Sequence, residues 1–122
     1  MKLLNVQLGD RSYPIYIGQN LLSDSQLVSK HITGNKVMVV TNTVVAPLYL
    51  EQVIQSLEGG GKHVDVVTLP DGESHKNLET LNAIFDGLLS KKHGRDTSIV
   101  ALGGGVIGDM AGFAASCYQR GV

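Results

Sequence analysis

The sequence predicts an α/β domain: a parallel sheet with flanking helices, preceded by an antiparallel pair of strands. Three observations predict it. From residue 36 onward, short apolar runs ("KVMVVT", "HVDVVTL", "TSIVAL") alternate with longer stretches of helical periodicity, the pattern of crossovers that return to one parallel sheet. Before residue 20, two extended segments flank the turn-forming "GDR", as in a hairpin. Glycine, 15 of 122 residues, gathers at the boundaries between segments, including two triple glycines.

Each element has its own reason. "LLNVQL" at 3–8 alternates apolar and polar residues in its second half, and "YPIYI" at 13–17 is the second extended segment. Pro14 places that strand at an edge or near its start, because proline has no N–H to donate to a ladder. "NLLSDSQLVSKH" at 20–31 predicts a short helix. "KVMVVT", Lys36 to Thr41, is nearly continuous in apolar residues, which fits a strand covered on both faces. Pro47 suits the first turn of the next helix, whose stripe is Leu50, Val53, Ile54 and Leu57. The strand "HVDVVTL" at 63–69 follows. Leu78, Leu81, Ile84, Phe85, Leu88 and Leu89 then mark the clearest helix, and "TSIVAL" at 97–102 is the last buried strand.

Composition narrows the classes of function. Hydrophobic residues make up 43% and charged residues 17%, with a formal charge of −1. Such a balance gives no general attraction to nucleic acid or to an anionic membrane. The basic residues are dispersed, the densest group being Lys91, Lys92, His93 and Arg95. Two Phe, four Tyr and no Trp leave little for stacking on single-stranded bases. Asn5, Gln7 and Asp10 interrupt any signal-peptide core, no run is long enough to span a bilayer, and one cysteine excludes an internal disulfide. The expectation is a cytoplasmic protein with no nucleic-acid or membrane partner.

In a parallel α/β sheet, ligands bind beyond the carboxyl ends of the strands. That rule selects three loops: Thr41–Val45, Pro70–Lys76 and Gly103–Asp109. Gly59–Gly61 falls at the opposite end, between a helix and a strand, and reads as a helix cap and tight turn. Gly103–Gly105 lies between a strand and a helix. There, glycines let the chain turn sharply and leave a ligand room against unpaired N–H groups, with Gly108 allowing close approach to the sheet or the ligand; a tight turn with dense packing is the plainer reading. The motif is neither G-x-G-x-x-G nor a Walker A sequence. Asp109, on what reads as the first turn of that helix, would repel a phosphate beside it. It suits the hydrogen of a sugar hydroxyl or an amide, unless it only complements the helix dipole. A dinucleotide offers both groups. In "PDGESHK", Asp71-Gly72 suits a turn and Ser74 a helix cap, while Glu73 and Lys76 either do the same surface work or meet ribose hydroxyls and an adenine or phosphate edge.

"PDGESHK" followed by "HGRDTSIVALGGGVIGDMAGFAASCYQRG", with "RSYPIYIG" and "TNTVVAPLYL" upstream, resembles the N-terminal domain of the 3-dehydroquinate synthase family. The resemblance runs over all 122 residues and implies a Rossmann-like, NAD-binding α/β domain. It implies that Asp71, Gly72, Glu73, Ser74, His75 and Lys76 hold the adenosine half of NAD. Gly104, Gly105, Val106, Ile107, Gly108 and Asp109 would then hold the pyrophosphate and nicotinamide half, and Asn42 would lie near the adenosine ribose. The family pattern is D-G-E-x-x-K, often with Gln and Tyr where Ser74 and His75 stand here; backbone groups could serve at both places. The implied reaction converts 3-deoxy-D-arabino-heptulosonate 7-phosphate, a small phosphorylated sugar acid, to 3-dehydroquinate and phosphate. NAD is used catalytically, a zinc or cobalt ion acts as Lewis acid, and the family commonly forms homodimers.

The family's metal ligands, a glutamate and two histidines, lie in a second domain that these residues do not include. No catalytic residue and no metal ligand is assigned here, and the 122 residues alone are expected to be inactive. His31, His63, His75 and His93 are scattered; three read as surface residues and His75 as close to the cofactor. Cys117 reads as a buried small apolar residue. "GVIGDMAGFAASCYQRG" is apolar or small around most of its circumference, so it predicts a second covering layer. Met110, Phe113 and Tyr118 would be exposed without that layer, and "RGV" reads as the start of a further strand. Two other classes compete. A metal- and NAD-dependent polyol or alcohol dehydrogenase would release a ketone or aldehyde, and a small α/β binding module would be complete at 122 residues.

Overall fold

The residues Lys36–Asn42 form the centre of the fold. Val37, Met38, Val39, Val40 and Thr41 are completely buried, as a strand covered on both faces requires. The structure is a computed structural model and describes all of residues 1–122. In chain order its main elements are strands β1 (Lys2–Val6) and β2 (Tyr13–Ile17), helix α1 (Ser25–Ser29), β3 (Lys36–Asn42), α2 (Glu51–Gly59), β4 (His63–Leu69), α3 (Leu78–Ser90), β5 (Ser98–Ala101) and α4 (Gly105–Cys117). β1 and β2 pair antiparallel, Lys2 opposite Ile17 and Val6 opposite Tyr13. The other three strands form one parallel sheet in the order β4–β3–β5.

Alternation along β3 builds three layers. Val37 and Val39 pack with Val53 and Leu57 of α2. Met38 and Val40 face the other way, toward Leu81, Ile84 and Leu88 of α3 and Ile107, Met110, Ala111 and Ala114 of α4. Ile84 and Leu88 are fully buried, so truncating either to alanine should cost about 2–5 kcal/mol through lost transfer energy and the cavity left behind. After β4 the chain crosses over β3 to lay down β5 on its far side. The reversal puts a switch point between the carboxyl ends of β3 and β5.

Local chemistry sets the boundaries. Asn77, with extended backbone, caps α3 by accepting from the Thr80 amide at 2.9 Å. Asp24 caps α1 from Leu27 N at 3.1 Å, and so divides the predicted 20–31 helix into a 3-10 turn (Leu21–Ser23) and the short α1. Pro47 sits in a π-helical turn, Ala46–Leu50, that leads into α2. Gly60 caps the end of α2 and Gly61 takes a φ of +83°. The first triple glycine is the predicted cap and turn, and it also lies against Ser25 and Ser29 of α1.

Several expectations are corrected. β1 ends at Val6, because Ser12 closes a turn over Gly9–Arg11 through Leu8 N (2.8 Å) and Gly9 O (2.7 Å). Within these residues β5 pairs with β3 alone and is half-buried at Ser98–Val100 and exposed at Ala101. Leu78 and Leu89 of α3 are 75% and 61% exposed: the first begins the helix, and the second turns away from the face that Leu88 buries. The buried stripe of α4 passes through Ile107, Met110, Ala111 and Ala114 and continues to Tyr118, which leaves Cys117 exposed. Met110 and Tyr118 are each 5% exposed, so of the three residues foreseen as an open patch only Phe113, at 56%, is open. After Tyr118 a turn with positive φ at Gln119, Arg120 and Gly121 folds back, and Val122 N donates to Ala115 O at 2.9 Å. His93 is buried at 3% exposure.

Candidate functional site

The three loops chosen from the sequence lie at the carboxyl ends of β3, β4 and β5, and polar side chains tie them together. Asn42, the last residue of β3, accepts from the amides of Val44 (3.0 Å) and Val45 (2.8 Å) through Oδ1. Its Nδ2 donates to Asp71 Oδ1 at 3.2 Å. Across the site, Lys76 Nζ donates to Asp109 Oδ2 at 2.8 Å and lies 3.8 Å from Glu73 Oε1. The hydrogen bond and charge of Asp109, with a smaller contribution from Glu73, raise the Lys76 ammonium above the ordinary lysine range. Sequence gave no hint of this pairing, since Lys76 and Asp109 are 33 residues apart. Only the fold brings the loop after β4 to the side of α4.

The second triple glycine divides into two kinds of position. A methyl group at Gly103 would meet Ile107 Cγ1 at 2.9 Å and Cβ at 3.0 Å, so Gly103 is required by packing within the chain. Nothing lies within 4 Å of a methyl group built at Gly104, Gly105 or Gly108. The sheet therefore does not need a glycine at 108. Gly104 caps α4 without a side-chain partner, and the helical ladder begins with Gly108 N to Gly104 O at 3.0 Å. The amides of Gly105, Val106 and Ile107 precede that ladder, at the positive end of the helix.

The remaining site residues are placed as follows. Ile107 is 2% exposed and belongs to the core, and Val106 is half-buried against it, so each can offer a ligand its backbone and little else. Asn42 is 7% exposed, with most of its hydrogen-bonding capacity used by the chain. Gly72 has a φ of +110° and starts a 3-10 turn over Glu73, Ser74 and His75. Ser74 does not cap α3, because Asn77 does. Asp109 is the fifth residue of α4, in its second turn rather than its first. From there its carboxylate reaches sideways to Lys76. Beside the pair an open groove of about 470 Å³ runs between the start of α3 and α4, walled by Leu78, Leu81, Met110 and Phe113. No three His, Cys, Asp or Glu side chains gather closely enough to hold a metal ion.

These elements define a Rossmann-like α/β domain with an open glycine turn at its switch point. A family model described as 3-dehydroquinate synthase N-terminal matches residues 66–122. Over all 122 residues the chain is 60% identical to the 3-dehydroquinate synthase of Pseudomonas savastanoi pv. phaseolicola and 59% identical to that of Methylococcus capsulatus. The chain is similar to the N-terminal part of members of the 3-dehydroquinate synthase family. The chain spans about a third of the length of these curated relatives, 33% in both. Among solved structures, 2-deoxy-scyllo-inosose synthase, complexed with carbaglucose-6-phosphate, NAD+ and Co2+, superposes with a TM-score of 0.85. The match covers 99% of this chain and 33% of that one at 23% identity, a likeness of fold. A 2-epi-5-epi-valiolone synthase from Streptomyces hygroscopicus, with NAD+ and Zn2+ bound, gives 0.77 over 95% of this chain and 32% of its own at 27% identity.

Proposed function

We propose that residues 1–122 are the NAD-binding domain of a 3-dehydroquinate synthase. The enzyme would convert 3-deoxy-D-arabino-heptulosonate 7-phosphate to 3-dehydroquinate and phosphate, a carbon–oxygen lyase reaction. The observation that carries the reading is the open space over Gly104, Gly105 and Gly108, in front of amides that precede the helical ladder. Glycines that the fold does not need, at the positive end of a helix and a switch point, suit a pyrophosphate that must approach the backbone. The identity of 60% over the whole chain with named synthases supports the choice of reaction.

The donors and acceptors present fit a dinucleotide. Amides of Gly105, Val106 and Ile107 would bind phosphate oxygens. Asp109 would accept from a ribose hydroxyl or a carboxamide N–H, held in direction by Lys76. Asp71, Glu73 and Lys76, with the backbone of Gly72, Ser74 and His75, would bind the adenosine side, and Asn42 would fix Asp71 more than touch the ligand. When bound, NAD supplies a reversible hydride acceptor. The zinc or cobalt ion and the substrate contacts belong, in this reading, to a second domain outside these residues. The whole enzyme would be a cytoplasmic homodimer, and the 122 residues alone would not turn over substrate.

Calorimetric titration of the chain with oxidised NAD, repeated with Asp109→Ala, tests the cofactor site. Saturable binding weakened by the substitution is the expected result. If neither this chain nor a chain of the relatives' full length binds NAD, the assignment is wrong.

A further inference from the structure

The one buried titratable cluster that the proposed site does not use lies at the opposite end of the sheet. The His93 side chain is fully buried. Its Nε2 is 2.8 Å from Asp65 Oδ2 on β4, and its Nδ1 is 2.9 Å from Thr97 Oγ1, the residue before β5. A carboxylate only accepts, so Nε2 donates to Asp65. The Tyr118 hydroxyl, just after α4, donates to the His93 carbonyl at 2.6 Å, and His93 N donates to Leu88 O of α3 at 2.9 Å. On the solvent side, His63 Nε2 stands 3.3 Å from the same Asp65 oxygen.

The connectivity gives these contacts a consequence at a distance. β5, the glycine turn and α4 form one out-and-back unit, with Thr97 at its first foot and Tyr118 at its last. Both feet are fastened to His93, which is fastened in turn to β4. β4 carries the Pro70–Lys76 loop, and the out-and-back unit carries Gly104–Asp109. The two halves of the candidate site therefore ride on elements that His93 joins from below. The ladder that joins β5 to β3 covers only Val37–Val40.

We propose that His93 is a positioning residue: through Asp65, Thr97 and Tyr118 it holds the glycine turn in place relative to the loop after β4. The binding part of this inference rests on the NAD reading above; the positional part does not.

Hydrogen–deuterium exchange on the full chain separates the two. The variants are His93→Leu, which removes the side-chain bonds to Asp65 and Thr97 and keeps the carbonyl that Tyr118 meets, His93→Gln, which keeps a side-chain N–H donor, and Tyr118→Phe, which frees the other foot and keeps the ring. In His93→Leu the amides of Ser98–Asp109 should exchange at least tenfold faster while those of β3 hold. Tyr118→Phe should do the same more weakly, and His93→Gln should restore most of the protection. NAD affinity should fall in the same order. Acceleration of β3 and β5 alike in both His93→Leu and Tyr118→Phe would mean a general loss of stability and overturn the proposal, as would unchanged exchange of Ser98–Asp109. Changed exchange in a protein that never binds NAD would sustain the positioning role and sink the nucleotide reading.

Discussion

Adding one methyl group at three glycines of the same segment should give three different results. At Gly108 the methyl has no neighbour within 4 Å, and the residue lies inside α4 with no positive φ. Alanine there removes a helix-interior glycine and should stabilise the fold by about 0.5–1 kcal/mol, raising Tm by about 2–4 °C for a domain of this size. At Gly112, one helical turn farther from the glycine turn and equally open, the stability gain should be the same. At Gly103 the methyl meets Ile107 at 2.9 Å and 3.0 Å, and Ile107 is locked in the core, so alanine should cost about 1–3 kcal/mol through overpacking. NAD binding separates the two stabilised variants. If the space over Gly108 belongs to the ligand, Gly108→Ala should lower affinity about tenfold or more, equivalent to about 1.4 kcal/mol, while Gly112→Ala leaves it within about twofold. Thermal unfolding and NAD calorimetry on the three variants read out both quantities. A Gly108→Ala protein that is more stable and binds NAD as before would refute the idea that this glycine is kept bare for a ligand.

Two further outcomes follow from the caps and the ion pair. Asn77→Ala removes the acceptor for Thr80 N and should cost about 1 kcal/mol, visible as a lower urea midpoint with an unchanged m-value. The Lys76–Asp109 pair raises the folded-state ionisation of Lys76, so its contribution is fully present below the ordinary lysine range and is lost as pH rises through the elevated folded value. Lys76→Gln should accordingly match the parent's pH dependence across neutrality and diverge from it only in strongly alkaline solution, a comparison made by thermal melts at stepped pH. Both side chains are substantially exposed, 39% and 64%, so the effect should be small and fall further with salt.

What the sequence made legible was whatever depends on neighbours in the chain. The apolar runs gave β3 and β4 to within a residue, because a strand buried on both faces leaves a continuous signature. The same signature at "TSIVAL" marks a strand, but within these residues that strand is only half covered. In the sequence His93 reads as a surface residue because nothing near it signals burial. Its burial depends on Asp65, Thr97 and Tyr118, of which Asp65 and Tyr118 lie 28 and 25 residues away. Capping was ambiguous for a related reason: Ser74 and Asn77 are both good caps, and the choice fell to the one with an extended backbone three residues before a free amide.

The candidate site shows why motif and fold each supply only half of an argument. The motif singled out Gly103–Asp109 but could not separate a glycine required by Ile107 from glycines that nothing in the chain requires. The fold makes that separation, and it turns an acid at the start of a helix into an acid held by a lysine from another loop. In that site an ion pair joins the loop after β4 to helix α4, and within these residues nothing packs over Gly104, Gly105 or Gly108. Alanine at Gly108 would make a better helix. Gly112 is as bare as Gly108, so what singles out Gly108 is its place, one turn nearer the amides that precede the helical ladder.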